Sequence, residues 1–352
     1  MARLEKAEPA MASLHRRSLI AAAPAILLAS CEPRMPTTVS TTPRIDVEGF
    51  GRALDAIAAR AAPGVLGVGL ANLESGQAFL LNGERRFPMQ SVFKLPLAAA
   101  VLAEVDAGRA RMDERFELTE EQLSPQHSPI SAAWPARRSF SLRDLLEATV
   151  VESDNTAADV LMKHIGGPGA VSAWLVGRRV PGVRVDRYER QLACDIAGMP
   201  SFRPQWRTAE AFAAARAATP PTTRQAAQRA YMADPRDTAT PRGMIEFLQM
   251  LDKEELISRA STRGLLRMMS RTARGAARLK AGLPRGAFLA HRPGTAAADL
   301  GVSAAHNDVG IFTLADRRAY AIAVFLSGST LDEAGRDAII ARIADAAVRA
   351  IG

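Results

Sequence analysis

Ser91 and Lys94 stand three residues apart at the head of an apolar run, Ser-Val-Phe-Lys-Leu-Pro-Leu-Ala-Ala-Ala-Val-Leu-Ala-Glu-Val. If residues 91–105 form a helix that ends in the Gly108 region, the spacing puts both side chains on one face about one turn apart. A serine hydroxyl is a poor nucleophile until a neighbouring base removes its proton, and a lysine stripped of water is neutral enough to serve. The helix N-terminus also offers backbone N–H groups to a developing oxyanion. Taken alone, the pair is a weak signal, and a helix cap followed by a chance lysine is the commoner reading.

A second cluster sharpens the reading. In Ser153-Asp154-Asn155, the serine can pass a proton to a leaving nitrogen, and the Asn155 amide can hold both the lysine and a substrate carbonyl. This tripeptide, followed by Thr156-Ala157-Ala158-Asp159, is also a good helix start. It is the two clusters in one chain that point to a serine hydrolase.

Other chemistries find less support. His15, His127, His164, His291 and His306 show no metal-ligand spacing such as His-Glu-x-x-His, so neither a metal nor another cofactor is expected. Cys194 lacks the Cys/His/Asn pattern of a thiol enzyme and reads as a buried, inert residue. The net charge of +8 comes from arginines spread among Asp and Glu rather than clustered with aromatics, which argues against nucleic-acid binding. A mild positive field suits anionic small molecules and an anionic membrane surface.

The elements that must position these residues follow from pattern. Of 352 residues, 48% are hydrophobic, 23% charged and only 5% aromatic, as in a folded enzyme with an aliphatic core. The chain opens with a basic Arg16-Arg17 pair and a short apolar stretch, Ala21 to Leu28, which read as an export signal with a twin-arginine character. Leu28-Ala29-Ser30-Cys31 looks like a bacterial lipobox that would make Cys31 the lipidated first residue of an envelope or periplasmic protein; a simple secretory signal cleaved nearby is the alternative. Only Cys194 is then left, so an intramolecular disulfide is excluded. The Pro- and Thr-rich residues 32–44 read as a tether.

A helix is expected over 47–61, followed by strands at 65–72 and 78–82 joined as a hairpin through Glu74-Ser75-Gly76. Helical patterns recur at 142–151, 155–165, 169–176, 241–251 and 258–269. Strands return at 287–292, 304–314 and 318–327, before a last helix over 331–350. The implied architecture is α+β: an antiparallel five-stranded sheet built from both chain ends, about 45–86 and 285–350, with an all-helical lobe inserted over about 87–284. An active site would lie between lobe and sheet. Within the lobe, Arg207 to Ala230 is Ala-rich around Pro220-Pro221 and reads as two short helices, part of an insertion spanning about 195–233.

Ser91-Val-Phe-Lys94 and Ser153-Asp-Asn155 together resemble the first two motifs of the class A β-lactamases, part of the penicillin-recognising serine enzymes. Arg187-Tyr188-Glu189-Arg190-Gln191-Leu192 is similar to the start of that family's omega loop, and the resemblance implies Glu189 as the general base for the hydrolytic water. Asp234-Pro-Arg-Asp-Thr-Ala-Thr-Pro241, Ala281-Gly-Leu-Pro284 and Asn307-Asp308 match further landmarks, so the similarity covers residues 45 to 350. It implies an α/β/α sandwich and, as a family expectation, a monomer. It also implies hydrolysis of the lactam amide through an acyl-enzyme on Ser91, with N–H groups of Ser91 and Thr295 holding the oxyanion and Ser153 protonating the nitrogen.

Three departures stand out. The family's Lys-Thr-Gly or Lys-Ser-Gly reads here Arg292-Pro293-Gly294-Thr295. Arginine keeps the positive charge that would attract a substrate carboxylate, but Pro293 removes a hydroxyl and a backbone N–H, which an edge strand tolerates. Arg278 aligns with a position where some members place a carboxylate-binding arginine, and the resemblance makes it the compensating candidate. Ala193 replaces an Asn that helps hold the hydrolytic water, so slow deacylation is expected. The long insertion separates Leu192 from Asp234.

These departures leave two competitors to a resistance-conferring β-lactamase. One is a penicillin-binding peptidase acting on D-Ala-D-Ala ends of peptidoglycan stem peptides, against which Glu189 argues. The other is a lipid-anchored lactam- or peptidoglycan-binding protein that acylates without useful turnover, for which Pro293 and Ala193 argue.

Overall fold

The computed structural model describes residues 44–315 and 317–351; the leader, Cys31 and all but the last residue of the tether lie outside the described residues. Strands run in the order 78–81, 65–72, 319–327, 306–313 and 288–295, each antiparallel to its neighbour.

The middle strand Ala319–Ser327 is apolar almost throughout because both its faces are covered. Its side chains alternate. Tyr320, Ile322, Val324 and Leu326 join Phe50, Leu54, Ile57, Ile340 and Ile343 of the first and last helices, Val47–Ala61 and Glu333–Ile351. Ala321, Ala323 and Phe325 join Phe87, Val92 and Ile245 on the opposite face, where the helical lobe begins. Burying each of the larger aliphatic side chains stabilises the fold by about 1.5–3 kcal/mol. The first helix starts where Asp46 accepts the Gly49 N–H, and its Phe50, Leu54, Ile57 and Ala61 fall on one stripe.

Through the lobe runs the helix Lys94–Asp106, buried from Lys94 to Ala103 and therefore apolar all round. The helix predicted over 91–105 begins later than expected, because Gln90–Phe93 form a separate 3₁₀ turn. Pro96 accounts for the break: it has no N–H for the Val92 carbonyl, and its ring clashes there in a continuous α-helix. In the first turn of a helix starting at Lys94 the missing donor costs nothing. The predicted 142–151 helix likewise splits into Leu142–Glu147 and a wider-wound Ala148–Glu152 that ends at Ser153, whose φ of 62° is left-handed.

The strand expected to stop at Arg292 continues through Pro293 to Thr295. It can do so because it is the edge of the sheet, with a ladder partner on one side only. The Ala-rich stretch forms two helices, Ala209–Ala218 capped by Thr208 and Pro221–Ala233 opened by its proline.

Candidate active site

Lys94 is fully buried, and four oxygens converge on its ammonium. Nζ donates to Ser91 Oγ at 3.2 Å, to the Ser153 carbonyl at 2.8 Å, to Ser153 Oγ at 3.2 Å and to Asn155 Oδ1. A protonated lysine has three protons for these four acceptors, so the two hydroxyls compete for one. Burial lowers the Lys94 pKa to about 8; the Glu189 charge pulls it up and Arg292 pushes it down. Ser153 Oγ also donates to Ser91 Oγ at 3.2 Å, which closes a triangle of Ser91, Lys94 and Ser153.

Each corner is held from behind. Asp154 caps the helix Asn155–His164 by accepting the Ala157 N–H at 2.8 Å, and it also receives the Ser128 hydroxyl at 3.0 Å and the Ile130 N–H at 2.8 Å. That fixes Asn155 at the first turn, where its other amide atom, Nδ2, donates to Glu189 Oε1 at 3.4 Å. One turn further along this helix, Asp159 accepts the Glu189 N–H at 2.6 Å and the Arg190 N–H at 3.3 Å. Burial pushes the Glu189 carboxyl up, against the attraction of Lys94, and lifts Asp159 to about 7. The Glu189 Oε2 atom is buried with no hydrogen-bond partner among the described residues.

Strand alternation sorts the third motif. Ala290, Arg292 and Gly294 face the lobe, whereas Leu289 faces the terminal helices. Arg292 is fully buried: Nε donates to the Ser91 carbonyl and Nη1 to the Val150 carbonyl, both at 2.9 Å, and Nη2 contacts Ser153 Oγ. The structure therefore places this charge behind the two serines rather than in the open cleft. Gly294 has a steric reason to be glycine, since a Cβ there would lie 2.3 Å from the Met89 carbonyl oxygen and 3.0 Å from the Val92 nitrogen. The strand thus abuts the turn that carries Ser91, and Thr295 follows at the cleft wall.

Arg278 is also buried, and each of its three nitrogens has a partner. Nε pairs with Asp337 at 2.8 Å, Nη1 donates to the carbonyls of Gly294 and Asn307, and Nη2 donates to Thr295 Oγ1 at 2.7 Å. His306 Nε2 meets the same Asp337 oxygen at 2.7 Å.

These groups open on a cleft of about 680 Å³ lined by Ser91, Ser153, Asn155, Glu189, Pro293 and Thr295. The insertion supplies one wall through Ala209, Phe212, Ala213 and Arg216. Phe212 packs with Cys194, Ala197 and Ala193, so the surface beside Glu189 is apolar. Arg216 and Arg224 both pair with Asp299, at 3.0 and 3.2 Å, and Gln228 Nε2 donates to the Val302 carbonyl, tying the insertion to the loop after the edge strand.

Sequence reasoning missed Asp159, Arg274 and His127. Asp159 was within reach as the residue one turn after Asn155 on the same helix face. Arg274 and His127 come from separate loops and meet at 3.3 Å with no local signal.

Comparison with known proteins agrees with this geometry. A family model described as "Beta-lactamase enzyme family" matches residues 50–351. The chain is 30% identical over 282 residues to the β-lactamase VEB-1 of Pseudomonas aeruginosa, covering 79% of this chain and 83% of that protein. Among solved structures it is similar to a β-lactamase from Chitinophaga pinensis, with a TM-score of 0.71 and 32% identity over 84% of this chain and 97% of the other. An ancestral class A β-lactamase gives a TM-score of 0.70 and 30% identity, over 86% and 99%.

Proposed function

The chain belongs to the class A β-lactamases, serine enzymes that hydrolyse the β-lactam amide, and on that premise we propose a role for each side chain of the cleft. Neutral Lys94 takes the Ser91 proton as Ser91 Oγ bonds to the lactam carbonyl carbon. The oxyanion is received by the N–H groups of Ser91 and Thr295. When the C–N bond breaks, Ser153 gives its proton to the nitrogen and recovers one from Lys94. Glu189 then takes a proton from the water that attacks the acyl ester, and as the ester C–O bond breaks that proton is passed back to Ser91 Oγ by way of Lys94, which regenerates the serine hydroxyl and the neutral lysine. Arg292 holds Ser153 and the Ser91 turn in place while adding positive charge behind them.

The observation that carries this reading is the continuous buried path from Ser91 through Lys94 and Asn155 to Glu189. Incubation with a chromogenic cephalosporin tests it. Wild type turns over many equivalents, Ser91→Ala is inactive, and Glu189→Gln stalls as an acyl-enzyme. A single stoichiometric burst from wild type overturns the hydrolytic role and favours the binding-protein or stem-peptide peptidase readings.

Two further proposals rest on other support. Leu28-Ala29-Ser30-Cys31 supports export and lipid anchoring at Cys31, which would hold the enzyme at the cell envelope. The second is that the enzyme works as a monomer, which the resemblance to the class A β-lactamases supports.

A further inference from the structure

Penicillins and cephalosporins carry a carboxylate beside the lactam nitrogen, and Pro293 has no hydroxyl to offer it. Three arginines stand near this end of the cleft. Arg292 spends its three nitrogens on Ser91, Val150 and Ser153, deep behind the strand. Arg278 spends its own on Asp337, two backbone carbonyls and Thr295. Arg274 is different: it is exposed, it lines the cleft beside Pro293 and Thr295, and its side chain makes a single hydrogen bond among the described residues, from Nη2 to His127 Nδ1. Its remaining donors have no partner among the described residues.

The loop that carries Arg274 is fixed in place. Thr272 Oγ1 donates to the Val151 carbonyl at 3.0 Å and accepts the Arg274 N–H at 3.4 Å. The next residue, Gly275, has a φ of 71°, and a Cβ there would lie 3.1–3.2 Å from the Pro293 ring. The proline that removed the hydroxyl therefore forms the seat of the arginine's loop. Thr295 is prepared from the other side: its oxygen accepts from Arg278, which leaves its O–H free to donate.

We propose that Arg274, with the Thr295 hydroxyl, is the carboxylate-recognising group of this enzyme, and that Arg278 acts only by positioning Thr295. The proposal rests on the lactam-hydrolysing reading. A further observation agrees with it: burial first and the Arg274 charge next lower the Arg292 pKa to about 9, against Asp308 and Glu189, so the two guanidinium groups repel each other across this corner and an arriving anion eases that repulsion.

The test compares a chromogenic cephalosporin with its neutral methyl ester on wild type, Arg274→Gln, Arg274→Lys and His127→Ala. Loss of a charge-assisted contact is expected to raise KM for the acid roughly ten- to hundredfold in Arg274→Gln with kcat largely kept. The ester should be unaffected, and Arg274→Lys should recover part of the loss. His127→Ala, which removes only the arginine's anchor, should give a smaller rise confined to the acid; equal effects on acid and ester in either variant, or an unchanged KM in Arg274→Gln, each overturns the proposal. If wild type turns over neither substrate, it is the underlying lactamase reading that fails.

Discussion

Arg187 and Asp237, fifty residues apart, are joined twice: Arg187 Nε meets Asp237 Oδ2 at 2.6 Å, and the Arg187 N–H donates to Asp237 Oδ1 at 3.1 Å. Asp195 and Asp234 add contacts to the same guanidinium at 2.8 and 3.3 Å. Asp237 lies at a left-handed φ of 52° and is almost fully buried. This clasp closes the base of the loop that carries Glu189, and the insertion emerges beyond it. Glu189 is therefore held in register from two sides, by this clasp and by Asp159.

Removing one partner of a buried ion pair leaves the other charge unmatched. Arg187→Ala is expected to lose about 3–5 kcal/mol of stability, read from urea midpoints, and to accumulate acyl-enzyme as Glu189 drifts. Arg203→Ala, an exposed arginine on the insertion, should stay within about 0.5 kcal/mol.

Acylation should depend on pH through Lys94, whose pKa lies at about 8. Its neutral form is the base, so the rate rises with pH and levels off above that value, and at pH 7 only about a tenth of the molecules are ready. Glu189 raises the Lys94 pKa, so Glu189→Gln should move this limb to lower pH. Stopped-flow acylation rates between pH 6 and 9.5 decide it; a limb that stays put or moves upward removes Lys94 as the base.

Ala193 stands one turn after Glu189 and offers no polar atom to a water. Ala193→Asn is expected to raise the deacylation rate several-fold, on the order of one added hydrogen bond, while leaving the burst rate alone. Steady-state turnover beside the burst amplitude separates the two steps. No gain would mean that the neighbouring Phe212 turns the new amide away from the cleft.

Gly294→Ala would push a methyl group into the Met89 carbonyl and the Val92 nitrogen. Separating strand from turn moves Thr295 away from Ser91, so kcat/KM should fall on the order of a hundredfold. The overpacking should destabilise by about 1–3 kcal/mol, measurable by thermal melting. Near-normal kinetics would show that the two N–H donors need no such close approach.

What was legible in the chain were contacts made within a helical turn or between neighbours in sequence. Ser91 with Lys94 and Ser153 with Asn155 are of this kind, and the apolar strands near both chain ends announced the sheet. The start of the Lys94 helix is hidden in the sequence, because Pro96 fits the apolar pattern there while withholding the donor that the Val92 carbonyl would need. The charge of Arg292 points in the sequence to the substrate, whereas alternation from Ala290 puts it on the inner face with Gly294. Links such as Arg187 to Asp237 or Arg274 to His127 join elements that only the fold brings together, so spacing along the chain carries no trace of them.

Pro293 has one more effect, on the company the molecule keeps. The outermost strand of a sheet is a template on which another chain can add a strand, and such contacts lead to self-association. A proline in that strand withdraws one donor from any added ladder, and the Gly275 loop lies against its ring. An edge blunted in this way resists the strand-by-strand addition of another chain.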